Sequence, residues 1–122
     1  MKNADFIGIK VRKSDIIDTI TIMETTAMSG VEVDLGSILA EKNMAPRTYY
    51  YAFKKVTGES PKRYIKNFKI KKVRDLLISS SPKEITVQEI ASKYGFTHMG
   101  QFGVDYKMLF GELPSETLHK IQ

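Results

Sequence analysis

The run FKKVTGESP at residues 53–61 returns, with changes, as YKMLFGELP at residues 106–114. At a shift of 53, both runs share an aromatic residue followed by lysine, a Gly-Glu pair and a final proline. Upstream of each run, Leu39-Ala40 resembles Ile90-Ala91 at a shift of 51, which predicts a turn two residues longer in the second copy. The chain therefore contains a weak internal repeat of two copies.

Both copies follow one plan, in which a short helix ends at a small residue and a tight turn leads into a second helix. The small residues are Ala40 and Ala91, which allow close helix packing, and Gly95 stands where the turn is expected to need a positive φ. This plan is typical of a helix-turn-helix, whose second helix enters the major groove of DNA. A protein-binding solenoid is the alternative for a helical repeat, but it needs about three copies.

The other local signals also predict helices, so the expected fold class is all-α with about seven helices. Helix openings are marked by a capping residue or by a proline, at Ser14, Asp34, Pro46, Pro61, Thr86, Thr97 and Pro114. We expect an N-terminal tail at residues 1–13 and a first helix-turn-helix subdomain at 14–60. A long linker helix at 61–80 would then join it to a second helix-turn-helix subdomain at 81–122.

Positive charge is concentrated in the middle of the chain. Residues 35–80 carry eleven Lys and Arg against three Asp and Glu, a net charge of +8, whereas residues 1–34 have −2 and residues 81–122 have −1. Such a block attracts phosphate over long distances and speeds association with nucleic acid. A solvated, lysine-rich helix face is the alternative that charge alone leaves open.

The composition argues against several functional classes. The chain has no cysteine and only two histidines, His98 and His119, which lack the spacing of a metal site. It also lacks the glycine patterns of nucleotide-binding loops, so we expect no enzyme activity and no cofactor. No apolar stretch approaches the roughly 20 residues of a membrane span. The absence of cysteine fits the reducing cytoplasm.

The order and spacing of these pieces resemble the DNA-binding domain of the AraC/XylS family of bacterial transcription regulators, over about residues 34–118. The first half carries the resemblance in Leu39-Ala40, Met44-Ala45-Pro46-Arg47 and the run from Ala52 to Pro61. The linker carries it in Lys69-Ile70, Val73 and Leu76-Leu77. The second half carries it in Glu89-Ile90-Ala91, Tyr94-Gly95-Phe96, Gln101-Phe102, Tyr106-Lys107 and the run from Phe110 to Ser115.

The resemblance implies seven helices in two helix-turn-helix subdomains, with recognition helices at about residues 46–57 and 98–110. Both would enter one face of the duplex, in successive major-groove segments about 34 Å apart. It further implies double-stranded DNA as the partner, with RNA polymerase as a second candidate, and a place at the bacterial nucleoid in the cytoplasm. The effector or dimerisation domain that family members often carry is not visible in this sequence. A helical module that binds a transcription partner is the alternative function.

Two departures from the family pattern concern the recognition helices. Ala45-Pro46 opens the first one where many relatives have serine, so a side-chain cap is missing. The front of the second one carries Met99, Gly100 and Val104, which offer few hydrogen bonds to base edges. We therefore expect the second unit to contribute less direct base readout than the first.

Candidate contact residues lie at the starts of these helices and along their exposed sides. The candidate base contacts are Arg47, Tyr50, Tyr51, His98, Met99 and Gln101, and the candidate phosphate contacts are Lys54, Lys66, Lys69 and Lys107. The planar fork of Arg47 suits guanine, the amide of Gln101 suits adenine, and Met99 suits a thymine methyl group. In the alternative interpretations Arg47 contacts phosphate or solvent, a tyrosine packs on the linker helix, and His98 is an ordinary surface residue.

Overall fold

The computed structural model describes residues 10–120, and these residues form seven α-helices without a strand. The helices are α1 (Lys13–Met28), α2 (Leu35–Glu41), α3 (Pro46–Thr57), α4 (Pro61–Ser79), α5 (Val87–Lys93), α6 (Met99–Phe110) and α7 (Pro114–Leu118). The predicted all-α class is confirmed. Of the predicted tail at residues 1–13, residues 1–9 lie outside the described residues, and Lys13 already belongs to α1.

The chain forms two units, each with its own core. Among the described residues, the first unit contains the segments 10–27 and 32–65, and the second contains 28–31 and 66–120. The long helix α4 therefore gives its first turn to the first unit and the rest to the second. The first core is built from Val11, Ile16, Met23, Leu39, Met44, Tyr49 and Phe53. The second is built from Ile70, Val73, Leu77, Ile90, Ala91, Phe102, Tyr106 and Leu118.

Each core buries a tyrosine whose hydroxyl is paired with a threonine hydroxyl. In the first unit the hydroxyls of Tyr49 and Thr19 lie 2.8 Å apart, and Thr19 in turn donates to the carbonyl of Ile16. In the second unit the Tyr106 hydroxyl donates to Thr117 at 2.6 Å. Burial raises the pKa of Tyr49 and of Tyr106, which keeps both hydroxyls protonated. The polar atoms of these large side chains are thus satisfied inside the cores.

Capping residues explain the starts of α2 and α5, and a proline explains that of α3. Asp34 accepts a hydrogen bond from the backbone of Ser37 at the start of α2, and the hydrogen bonds from Ser37 hold the pKa of Asp34 below its usual value. Thr86 and Glu89 form the predicted capping box at the start of α5. Pro46 opens α3 as predicted.

Two predicted caps are wrong by one or two residues. Helix α1 begins before Ser14, because the Asp15 carboxylate accepts from the backbone N–H of Arg12 at 2.8 Å and stabilises an earlier start. Helix α6 begins after Thr97, because His98 is still in extended backbone with φ −107° and ψ 92°. The N-cap of α6 is therefore His98.

The first helices of the two copies, α2 and α5, align at a shift of 52, so the predicted shift of 51 is wrong. Their N-caps are Asp34 and Thr86, and a residue with positive φ follows each helix, Asn43 at 56° and Gly95 at 86°. The predicted positive φ of Gly95 is confirmed. The turn into the next helix covers residues 42–45 in the first copy and 94–98 in the second. It is therefore one residue longer, not two.

The hydrogen bonds that close the two turns support this alignment. The backbone N–H of Met44 donates to the carbonyl of Leu39 at 2.9 Å, and that of Phe96 donates to Ala91 at 3.2 Å. Both are the longer bond of a Schellman motif, which returns the chain sharply after a helix. Ala91 is fully buried at the equivalent position to Leu39, whereas Ala40 is exposed. The expectation that Ala40 packs in the helix crossing is therefore wrong.

Candidate nucleic-acid interface

Helix α3 presents a polar, basic face opposite its buried side. Tyr49 and Phe53, four residues apart, are fully buried and anchor the helix in the first core. On the opposite side, Arg47, Tyr51 and Lys54 have the spacing i, i+4 and i+7, and all three are exposed. Arg47 is the second residue of the helix, where a recognition helix makes most of its base contacts.

The two candidate tyrosines of α3 occupy different positions. Tyr50 is an exposed residue, but its ring also meets the ring of the buried Tyr49 edge-on, with centroids 6.0 Å apart. Tyr51 is 68% exposed, and its ring lies under the Lys55 ammonium, which is 5.5 Å from the ring centroid. A cation above an aromatic face is attracted by the ring, so Lys55 and Tyr51 form one surface. Lys55 is not among the residues predicted from the sequence, although its spacing of four from Tyr51 could have indicated the contact.

Helix α6 has the same construction with a different surface. Phe102 and Tyr106 are buried four residues apart, as Tyr49 and Phe53 are in α3. At the shift of 53, the positions of Arg47, Tyr51, Lys54 and Lys55 are taken by Gly100, Val104, Lys107 and Met108. Val104 is 55% and Met108 is 79% exposed. The outward face of α6 is therefore mostly apolar, with Lys107 as its cation.

The structure separates the three candidates at the start of α6. His98 is exposed and precedes the helix. Met99 is partly buried and packs against the core of the second unit, which leaves less of its side chain for a thymine methyl group. Gln101 is exposed, and its Nε2 donates to Asp105 Oδ1 at 2.9 Å.

Asp105 also binds a candidate phosphate contact. Lys66 Nζ on α4 lies 3.0 Å from Asp105 Oδ2. Lys66 therefore already has an anionic partner within the second unit. A paired lysine is less available to a phosphate than an unpaired one. Lys69, one turn farther along α4, is partly exposed, and Lys54 and Lys107 are exposed. Asp105 is not among the site residues predicted from the sequence.

Positive charge is concentrated on helices α3 and α4. Helix α3 has three basic residues and no acidic one, α4 has seven against one, and α6 has one of each. Several basic groups of α4 already have partners: Arg63 lies 3.6 Å from Glu59, and Arg74 stacks on Phe110 at 4.8 Å. No helix within residues 10–120 has the length and apolar character needed to cross a lipid bilayer.

Comparison with known proteins agrees with this geometry. The family model described as a helix-turn-helix domain matches residues 38–120, which is more than half of the chain. A solved structure of a probable AraC family transcriptional regulator from Rhodopseudomonas palustris superposes with a TM-score of 0.74 at 29% sequence identity, covering 84% of this chain and 93% of that one. The chain belongs to the AraC/XylS family of transcriptional regulators. It is a DNA-binding domain of this family, which is a class of regulators and not of enzymes.

Two curated bacterial regulators are also similar to this chain. An XylDLEGF operon transcriptional activator from Pseudomonas putida is 44% identical over 77 residues, which cover 63% of this chain and 24% of that protein. A probable thc operon regulatory protein from Rhodococcus erythropolis is 36% identical over 75 residues, covering 62% of this chain and 23% of that protein. The chain thus spans about a quarter of the length of these curated relatives.

Proposed function

We propose that this AraC/XylS domain recognises specific DNA sequences by inserting α3 and α6 into successive segments of the major groove. The observation that carries the proposal is the exposed face of α3, where Arg47, Tyr51 and Lys54 stand opposite the buried aromatic pair. A recognition helix needs such a division, because one side must be held rigidly while the other reaches base edges and phosphates.

In α3, Arg47 is proposed as the main base-reading residue. Its guanidinium can donate two parallel hydrogen bonds to the O6 and N7 atoms of guanine. Tyr51 and Tyr50 would contact a thymine methyl group or a phosphate, and Lys54 would bind phosphate one turn farther on. The start of α3 adds to this, since Ala45 provides no side-chain cap and the first backbone N–H groups can face a phosphate.

In α6, Gln101 is proposed as the main base-reading residue and Lys107 as the phosphate contact. His98 and Met99 are secondary, because His98 precedes the helix and Met99 is partly engaged in the core. Lys69 would add a phosphate contact from α4, and Lys66 would contribute mainly through Asp105. The apolar face around Val104 leaves α6 fewer hydrogen bonds to offer than α3.

For the biological role, we extend to this chain the activity that names its curated relative, activation of transcription. The protein would act without catalysis at the bacterial nucleoid in the cytoplasm, and RNA polymerase would be its second partner. The division into a tail, two helix-turn-helix subdomains and a linker helix is proposed as the functional organisation.

Selection from a randomised duplex library tests the sequence specificity. We expect an enriched site with two parts whose centres lie about 10 base pairs apart, one helical turn, and a guanine in the part read by α3. The same selection with Arg47→Ala should lose that guanine and keep the other part. Enrichment of no sequence, from a protein that binds the library, would contradict specific readout.

A further inference from the structure

We propose that Asp105 is a positioning residue that restricts Gln101 to adenine, and that Lys66 holds Asp105 in place. This inference rests on the proposed function, because it concerns how α6 reads DNA. All three side chains belong to the second unit, Lys66 on α4 and the other two on α6. Their contacts connect the long helix to a base-reading side chain.

The geometry gives each oxygen of the Asp105 carboxylate a donor of its own. Gln101 Nε2 donates to Oδ1 at 2.9 Å, from the preceding turn of the same helix. Lys66 Nζ lies 3.0 Å from Oδ2. The Asp105 side chain is only 18% exposed, compared with 43% for Lys66, whereas Gln101 is an exposed residue. The carboxylate is thus mostly enclosed and contacts both Lys66 and Gln101, whereas the amide of Gln101 is at the surface.

This arrangement fixes which way the Gln101 amide faces. A carboxylate accepts hydrogen bonds and donates none, so the nitrogen of the amide, and not its oxygen, must face Asp105. The bond occupies one of the two N–H groups of Gln101. One N–H donor and the Oε1 acceptor are left for a base.

The remaining donor and acceptor match adenine and not guanine. In the major groove, adenine presents the N7 acceptor beside the N6 amino donor, so both groups of Gln101 find a partner. Guanine presents two acceptors, N7 and O6, and Gln101 would need both N–H groups to bind them. With one N–H held by Asp105, Oε1 would instead face O6, and two acceptors repel each other.

Lys66 makes the carboxylate compatible with nucleic acid. An unpaired carboxylate in a DNA-binding face would be repelled by the phosphate backbone, and the ion pair offsets that charge. The pair also fixes the position of Asp105, because the carboxylate is held from α4 as well as from α6. Lys66 therefore acts on sequence preference, while Lys69 acts on affinity for any sequence.

The substitution Asp105→Asn tests this arrangement. Gln101 and Lys66 bind different oxygens of Asp105, and asparagine replaces one of these oxygens with an amino group, so both bonds cannot be kept in this geometry. With the oxygen taken by Lys66, its amino group faces Gln101, and the Gln101 amide turns its own amino group toward the base. We expect the preference for adenine over guanine to fall. Asp75→Asn removes an exposed carboxylate from α4 of the same unit and serves as the matched control.

The contacted base pair is found first, on a site selected with the wild-type protein. Each adenine is replaced by 7-deazaadenine, which lacks the N7 acceptor. The contact is the adenine whose replacement weakens binding of the wild type but not of Gln101→Ala. At that position we expect the wild type and Asp75→Asn to prefer A·T over G·C by at least about fivefold. Asp105→Asn should reduce this preference to about twofold or less, with no further effect in the Gln101→Ala background.

The proposal is overturned if folded Asp105→Asn, checked by circular dichroism, keeps the wild-type preference, or if no adenine depends on Gln101. Should Asp105→Asn fail to fold, Lys66→Met removes the ion pair alone and is expected to lower the preference in the same direction. An unchanged preference in Lys66→Met and in Gln101→Ala would overturn the proposal as well. Loss of all DNA binding by the wild type would contradict the proposed function itself.

Discussion

Arg47 lies on the exposed face of α3, two positions after the N-cap, with Tyr49 buried on the other side of the helix. Arg47→Ala should weaken binding to the selected site by about 1–3 kcal/mol and relax the preference at one base pair. Competition titrations with single-base variants of the site measure both effects. Arg12→Ala, which removes an exposed arginine outside α3, is the control and should leave the preference unchanged. An unaltered preference in Arg47→Ala would remove Arg47 from the base-reading residues.

Tyr49 tests the account of the first core. Its hydroxyl is buried and bonds to Thr19, which already donates to Ile16, so Thr19 accepts this hydrogen bond. Tyr49→Phe should lower the free energy of unfolding by about 1 kcal/mol, because it deletes a buried hydrogen bond without leaving a cavity. Tyr51→Phe removes an exposed hydroxyl and should have almost no effect. Urea unfolding of both variants measures these free energies. An equal change in the two variants would contradict the buried pairing of Tyr49 with Thr19.

At the residue scale, the sequence predicts whether a side chain faces outward better than it predicts which residues that side chain contacts. The spacing of Arg47 and Lys54 relative to buried Phe53 was sufficient to predict that they face outward. The partner of Lys66 could not be predicted, since Asp105 is far away in the sequence and meets it only through the packing of α4 on α6. The bond between Gln101 and Asp105 was predictable, because residues four apart on a helix are neighbours.

Among the elements, α3 and α6 share a framework and differ in surface. Val104 takes the place in α6 that Tyr51 takes in α3, and it is exposed. Val104→Arg should therefore increase DNA affinity several-fold, because the added guanidinium would enter the groove. Ser115→Arg adds the same charge to an exposed position of α7 and should increase affinity less. Equal effects of the two variants would contradict the placement of α6 in the groove.

Helix α4 is expected to contribute through Lys69. Lys69→Gln should weaken binding to all sequences alike and reduce the slope of log affinity against log salt by about one. Lys83→Gln, at an exposed position of the loop after α4, is the control for loss of a positive charge. Titrations at several salt concentrations give the slopes. A slope unchanged by Lys69→Gln would mean that this side chain faces away from the phosphates.

Helix existence and type were predictable, because capping residues, prolines and apolar spacing agree along most of the chain. The register of the repeat was not, since Leu39-Ala40 and Ile90-Ala91 are similar in letters but occupy different positions. The N-caps Asp34 and Thr86 are better landmarks, because a cap must sit at the helix start. The start of α6 was misplaced because Thr97 is a good cap in a segment whose backbone stays extended through His98.

On the scale of the whole molecule, each unit pairs a buried core with one helix that has an exposed face, α3 or α6, and positive charge is concentrated in residues 35–80. The sequence was sufficient to predict the family and this charge distribution. The boundary between the two units, which falls between Ile65 and Lys66 near the start of α4, could not be predicted from the sequence. The helix is continuous there, and no turn signal marks the boundary.

The most direct measurement is a fluorescence anisotropy titration of a labelled random-sequence duplex at ~50 mM and ~200 mM salt. We predict tight binding at the lower concentration and a loss of about a hundredfold or more at the higher one, because several phosphate contacts release counterions. Absence of binding at low salt, or binding that salt does not weaken, would contradict DNA recognition. It would favour a helical module that binds a transcription partner through apolar contacts.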